Sequence, residues 1–327
     1  MMPVFYAFIY GLLTLFAGFA LAETQKFETP DSIAMMEVVE VADNVYVLHG
    51  LSGLPNRQNR GMIANLGFVV GDEGVIVIDS GSSGFHAAML LDKIAAVTTL
   101  DVIAVFNTHI HGDHWLGNQV IAERFPEAKF YAHDRFIKLA KWGAGDDWVG
   151  ILSRLTGADP SVLTPYIPTQ PVADADSLRF GNVSVEVMHH AKAHTTTDIV
   201  LVIEQENSDS VVFLGDTGFF QRLGRMDDGS FKGNIEILEQ AISLNADVYV
   251  PGHGPTTLGP HSAQAYLEYL ELLYERTFAF YEAGIADFEI REKILPEFGQ
   301  WQSWNGFAEI FGRHLSLVYL EIEEASF

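Results

Sequence analysis

Cysteine is absent from the 327 residues. That excludes disulfides, zinc–thiolate sites, thiol nucleophiles and lipoprotein anchoring together, so any metal must be held by nitrogen and oxygen. The absence leaves the compartment open, because a chain of this length builds its core without cross-links. Positive charge is also scarce: 19 Lys and Arg stand against 43 Asp and Glu, a formal net charge of −24. No basic run offsets this locally, and so acidic a surface repels phosphate backbones, which argues against a nucleic-acid partner. Charged residues are 19% of the chain and hydrophobic ones 48%, the balance of a globular protein rather than a disordered one. No internal repeat at a solenoid period is visible.

One long apolar run is present, at the start. Val4 to Leu21 is followed by Ala20-Leu21-Ala22 overlapping its end and then by Glu23. Small residues at positions 20 and 22 predict a signal peptide over residues 1–22, although the segment before the run carries no Lys or Arg. An uncleaved anchor is the alternative, since the run is nearly long enough to span a bilayer. Either way the expectation is export: a periplasmic or secreted protein, without stable membrane insertion once the leader is cut.

Beyond a lead-in over residues 23–40, short β-rich runs begin. Val45 to Leu48 follows an Asp-Asn turn, and Leu66 to Val70 and Val75 to Ile78 flank Gly71-Asp72-Glu73-Gly74 as a hairpin. Ala87 to Ala96 and Leu116 to Phe125 have helical spacing, and Val102 to Phe106 and Lys129 to Ala132 are strand candidates. Residues 134–176, with Trp142, Trp148 and prolines from Pro160 to Pro171, predict a helical excursion and an extended loop where a lid could sit. Strands resume at Val183 to Met188, Ile199 to Ile203, Val211 to Leu214 and Asp247 to Val250, with a helix near Asn234 to Leu244. From His261 onward the pattern is helical, broken at Pro296 and resumed from Phe307 to Glu324. Such an order suggests two packed sheets with helices outside.

The densest chemistry lies in Asn107-Thr108-His109-Ile110-His111-Gly112-Asp113-His114, between an apolar strand and a helix. Two imidazoles two residues apart share a side only on extended or loop backbone. Gly112 permits a tight reversal that returns Asp113 and His114 toward the same point. Four such side chains in six residues are costly to pack without a cation, and neutral His with ionised Asp suits a divalent one. Three further segments put a ligand-type residue just past a β-run. They are His189-His190-Ala191-Lys192-Ala193-His194-Thr195, Leu214-Gly215-Asp216 and Pro251-Gly252-His253-Gly254-Pro255. Each alone reads as a turn, but four strand-end placements agree with where α/β folds gather their sites.

Taken together, the His-x-His-x-Asp-His motif, the later His-Thr, the Gly-Asp and the Gly-His-Gly resemble the metallo-β-lactamase superfamily over about residues 40–258. The resemblance implies an αβ/βα sandwich over residues 23–258, with residues 259–327 as a helical C-terminal extension packed on it. It implies two zinc ions per chain: His109, His111 and His194 on the first, Asp113, His114 and His253 on the second, and Asp216 bridging. Asp79, in Val77-Ile78-Asp79-Ser80, matches an acidic position that orients a ligand His. Family chemistry is metal-assisted hydrolysis, with Asp113 orienting a hydroxide shared by two ions about 3.5–4 Å apart.

The lack of cysteine sets aside lactamases with a cysteine ligand, and an acidic residue at 216 resembles the glyoxalase II, lactonase, phosphodiesterase and sulfatase-like branches. The leader, Asn59-Arg60-Gly61 and the tail Gly312-Arg313-His314-Leu315-Ser316-Leu317-Val318-Tyr319-Leu320-Glu321 resemble exported zinc metallohydrolases associated with quinoprotein and sulfur-oxidation systems. This group implies a small-molecule ester, thioester or lactone as substrate and admits a protein partner in a periplasmic redox system. The alternatives are a mononuclear iron sulfur dioxygenase, a β-lactamase, and a non-catalytic periplasmic metal-binding or assembly partner. Other residues noted are His189, His190, Arg57, Arg60, Trp142 and Trp148, for which packing or solvation is the simpler reading.

Overall fold

A computed structural model describes Ile33 and residues 36–326. The leader expected over residues 1–22 lies outside the described residues. Two sheets face one another. The first has seven strands in the order β1 (Val38–Ala42), β2 (Val45–Leu48), β3 (Leu66–Val70), β4 (Val75–Ile78), β5 (Val102–Phe106), β6 (Lys129–His133) and β7 (Gln170–Val172). The second has six, in the order β13 (Thr257–Leu258), β12 (Val248–His253), β11 (Val211–Phe219), β10 (Val200–Gln205), β9 (Val183–Met188) and β8 (Ser177–Phe180).

Alternation along the strands builds the layers. Ile76 and Ile78 point inward, where they meet Val185, Leu201, Phe213 and Val250 of the facing sheet. Val75 and Val77 point outward, against α1 (Gly84–Val97) and Ile121 of α3 (Asn118–Arg124). On β12, Val248 and Val250 enter the inner core while Tyr249 enters the outer one. That outer core is closed by α6 (Phe231–Ser243), α7 (His261–Glu282), α8 (Asp287–Ile294) and α9 (Phe307–Ala325). The layering is the αβ/βα sandwich with C-terminal helices covering its second sheet. Among the described residues no helix is long and apolar enough to cross a membrane.

Several elements differ from the sequence expectation. The lead-in ends in a strand, since β1 pairs antiparallel with β2. The helix expected over Leu116 to Phe125 is divided into α2 (Gly112–Trp115) and α3, with Gly117 between them lying against the Ser80 carbonyl, where a Cβ would collide. The excursion after β6 is α4 (Asp134–Leu139), a π-helical turn with Gly143 at φ 113°, and α5 (Gly145–Thr156); its extended loop ends in β7, parallel to β6.

Candidate metal centre

Strands β4 and β5 run parallel, as do β11 and β12, and the site lies at their C-terminal ends. Asp79 follows β4 and His109 follows β5; Asp216 sits inside β11, and His253 is the last residue of β12. The strand carrying Asp216 therefore runs past Leu214, to Phe219. Its register with β12 shifts on both sides of Gly215, and this irregularity turns Asp216 into the cleft. Gly252 is required here, because a Cβ would collide with Asp216 Oδ1 and the Gly215 backbone.

The seven residues singled out in sequence converge. Donor atoms of His109, His111, His194 and Asp216 lie within 4.8 Å of one another, as do those of Asp113, His114 and His253. In the first group Asp216 Oδ2 stands 3.8 Å from His109 Nε2 and 3.5 Å from His194 Nε2, and His194 Nε2 is 3.0 Å from His111 Nδ1. In the second, Asp216 Oδ1 is 3.2 Å from both His114 Nε2 and His253 Nε2. Asp113 Oδ2 is 3.7 Å from His114 Nε2 and 3.5 Å from His253 Nε2. One carboxylate thus presents one oxygen to each group.

Whether this set fits cations is decided by its unsatisfied atoms. His109 Nε2, His114 Nε2 and Asp216 Oδ1 are buried without a hydrogen-bond partner, an arrangement that costs free energy unless something fills it. Ligands at 2.0–2.1 Å on the corners of a tetrahedron stand about 3.4 Å apart, the spacing these atoms have. The residues fit a metal pair.

Neighbouring groups aim the imidazoles. Asp79 Oδ2 is 2.7 Å from His114 Nδ1, and the same carboxylate accepts from the Thr108 backbone N–H at 2.8 Å and its hydroxyl at 2.7 Å. Asp79 holds φ 59°, left-handed backbone that short polar residues tolerate. His253 Nδ1 faces the Ile63 carbonyl at 2.6 Å, leaving Nε2 for the cleft. His111 Nε2 faces Asp228 Oδ2 at 3.2 Å, leaving Nδ1.

Electrostatics follow from burial. Desolvation drives His109 well below its ordinary pKa, helped by His114, and brings His194 down to about 3, so both offer lone pairs. Burial opposes charge on His114 too, but the carboxylates of Asp216, Asp79 and Asp113 overcome it and hold that imidazole well above its usual range. Burial works against ionisation of Asp216 as well; His253, His114 and His109 outweigh it, and its carboxyl lies well below the usual range.

Asp228 and Arg222 were not apparent from sequence. Arg222 is buried, with Nη1 3.2 Å from His253 Nδ1. Its segment is held by Leu223 N–H to Asn305 O at 2.9 Å and Asn305 N–H to Gln221 O at 3.0 Å, so the C-terminal region braces the site. The only local hint was their closeness to Asp216 in the chain. His189 Nδ1–H donates away from the centre, to the Asp198 carbonyl, and its ring stacks on His133 at 3.7 Å; His190 pairs with Glu236. Trp142 is 81% exposed, whereas Trp148 packs on His111 with ring centroids 4.7 Å apart.

Residues 59–253 match the profile of the metallo-beta-lactamase superfamily, and the chain belongs to that family. It is similar to a probable hydroxyacylglutathione hydrolase of Schizosaccharomyces pombe, 27% identical over 181 residues that make up 55% of this chain and 59% of that protein. The chain thus spans about three-fifths of that relative's length. Among solved structures it resembles a stereoselective inverting sec-alkylsulfatase from Pseudomonas sp., with a TM-score of 0.67 at 17% identity over 88% of this chain and 50% of that one. It also resembles a metallo-beta-lactamase from Pontibacter korlensis, with a TM-score of 0.57 at 19% identity over 72% of this chain and 99% of that one. At these identities the structural likeness concerns the fold.

Proposed function

We propose that this protein is an exported dinuclear zinc hydrolase acting on an ester, thioester or lactone. The observation that carries the reading is Asp216, whose two oxygens each face a separate cluster of buried donors. His109, His111 and His194 would hold one ion, and Asp113, His114 and His253 the other, with Asp216 shared. When bound, such a pair supplies an acidified water and polarises the scissile bond.

The chain's own groups do the rest. Asp79 and Asp228 fix the rings of His114 and His111, as carboxylates behind ligand imidazoles do. Asp113 is among the more accessible of the donors, and among the described residues its Oδ1 takes no hydrogen bond. That oxygen would orient the attacking water and carry its proton to the leaving group. Phe219 and Trp148 flank the imidazoles and keep bulk water from the donor rings. A thioester is supported by the names of the relatives, and export by the apolar leader in the sequence.

The reading is tested on protein purified without chelator, by metal analysis beside turnover of a panel of esters, thioesters and lactones. Near two equivalents of zinc and chelator-sensitive turnover are expected. One equivalent of iron with oxygen uptake on a persulfide would replace it with the dioxygenase reading.

A further inference from the structure

A cavity of about 390 Å3 opens against the first donor cluster, and its wall includes His111 itself. Ile110, Leu139 and Trp148 give it an apolar body, with the Trp148 ring tilted 50° over His111. Its other ionisable lining groups are Asp147 and Asp228; among the described residues no Lys or Arg lines it. Asp228 Oδ2 stands 3.2 Å from His111 Nε2 at the pocket wall. Three arginines of the segments around Asp228 and the C-terminal helix are engaged elsewhere. Arg225 Nε donates to Asp227 Oδ2 at 2.7 Å, Arg313 pairs with the same carboxylate, and Arg222 is buried against His253.

We infer that this pocket selects substrates whose group beyond the scissile bond is an apolar body bearing a positive charge or none, and that it discriminates against thioesters of an anionic thiol such as glutathione. The inference rests on the hydrolase reading and adds to it the charge class of the substrate. Two carboxylates lining the pocket mouth favour a cation and repel a carboxylate, with the modest, salt-screened strength of exposed charges. Trp148 adds an aromatic face on which an ammonium group can rest. A thiol carrying carboxylates would bring further negative charge against Asp147 and Asp228, with no Lys or Arg in the lining to receive it.

The test uses three thioesters with the same acetyl group, on thiocholine, N-acetylcysteamine and glutathione, given to the zinc-loaded full chain. Thiol release is read directly, because the protein has no cysteine to contribute background. The expected order of kcat/KM is cationic, neutral, anionic, with about tenfold between the extremes from Asp147 and Asp228 acting together at pocket distance. Asp147→Asn should narrow that ratio to about threefold, and added salt should narrow it further. Equilibrium binding of the three corresponding amides, in which nitrogen replaces the thioester sulfur, is measured in parallel. An anionic thioester turned over as fast as the cationic one overturns the charge inference while leaving the hydrolase reading intact. No turnover of any thioester, with the cationic amide still bound preferentially, overturns thioester hydrolysis and keeps the charge inference. No preference among the amides overturns it in either case.

Discussion

Replacing His314 should remove about 2 kcal/mol of the protein's sensitivity to mild acid. This imidazole is fully buried on α9, between Tyr269, Phe231 and the Gly224 carbonyl. Its Nε2–H donates to Gly224 O at 2.8 Å, so Nδ1 accepts from the Tyr269 hydroxyl at 2.9 Å. The neutral ring satisfies both partners, and burial lowers the pKa to about 4. In the unfolded chain an ordinary His titrates near 6.5, so as pH falls below that value the unfolded state takes up a proton that the native state refuses. The stabilisation is complete above about pH 6.5 and is lost progressively down to about pH 4. Between pH 7 and pH 5 the linkage amounts to about 2 kcal/mol. Urea denaturation at the two pH values, in one metal-loading state, is the assay. His314→Gln should start less stable at pH 7 and lose about 2 kcal/mol less than the parent on acidification. Comparison within one metal state cancels the titration of the site histidines. Equal acid losses in parent and variant would refute the reasoning.

Other perturbations bear on the site and the core. Asp79→Asn keeps the left-handed backbone but withdraws a carboxylate from His114, and chelator competition should show metal affinity at the second cluster down about 10–100-fold. Gly252→Ala drives a Cβ into Asp216 Oδ1, so metal analysis should show loss of the shared carboxylate's ions while far-UV circular dichroism stays that of a folded chain. Leu270→Ala opens a cavity beneath α7 in the outer core and should cost about 2–5 kcal/mol in denaturant unfolding with metal content unchanged.

What could be read in the sequence depended on how local the determinant is. His109, His111, Asp113 and His114 lie within one strand-to-helix connection, so their convergence follows from backbone geometry that a short motif already encodes. Asp216 and His253 were visible because each follows an apolar run and neighbours a glycine, although the extension of β11 past Gly215 depends on its irregular pairing with β12. Asp228 and Arg222 were hidden. Their contacts with His111 and His253 exist only because the segment after β11 folds back and is tied to Asn305, more than eighty residues away in the chain. The edge strands β7 and β8 were missed for a similar reason: they are short, mostly polar at one face, and defined by pairing with β6 and β9 rather than by their own pattern. The buried role of His314 depends on how α9 lies against Tyr269, a contact 45 residues away that no local pattern encodes.

If Asp216 joins two buried donor clusters into one metal pair, both ions depend on its carboxylate. Metal content by inductively coupled plasma mass spectrometry, on the parent and on Asp216→Ala prepared without chelator, tests it most directly. The parent should carry close to two zinc per chain and the variant one or fewer, with hydrolysis lost. A parent that holds a single metal, or a variant that retains two, would contradict the claim.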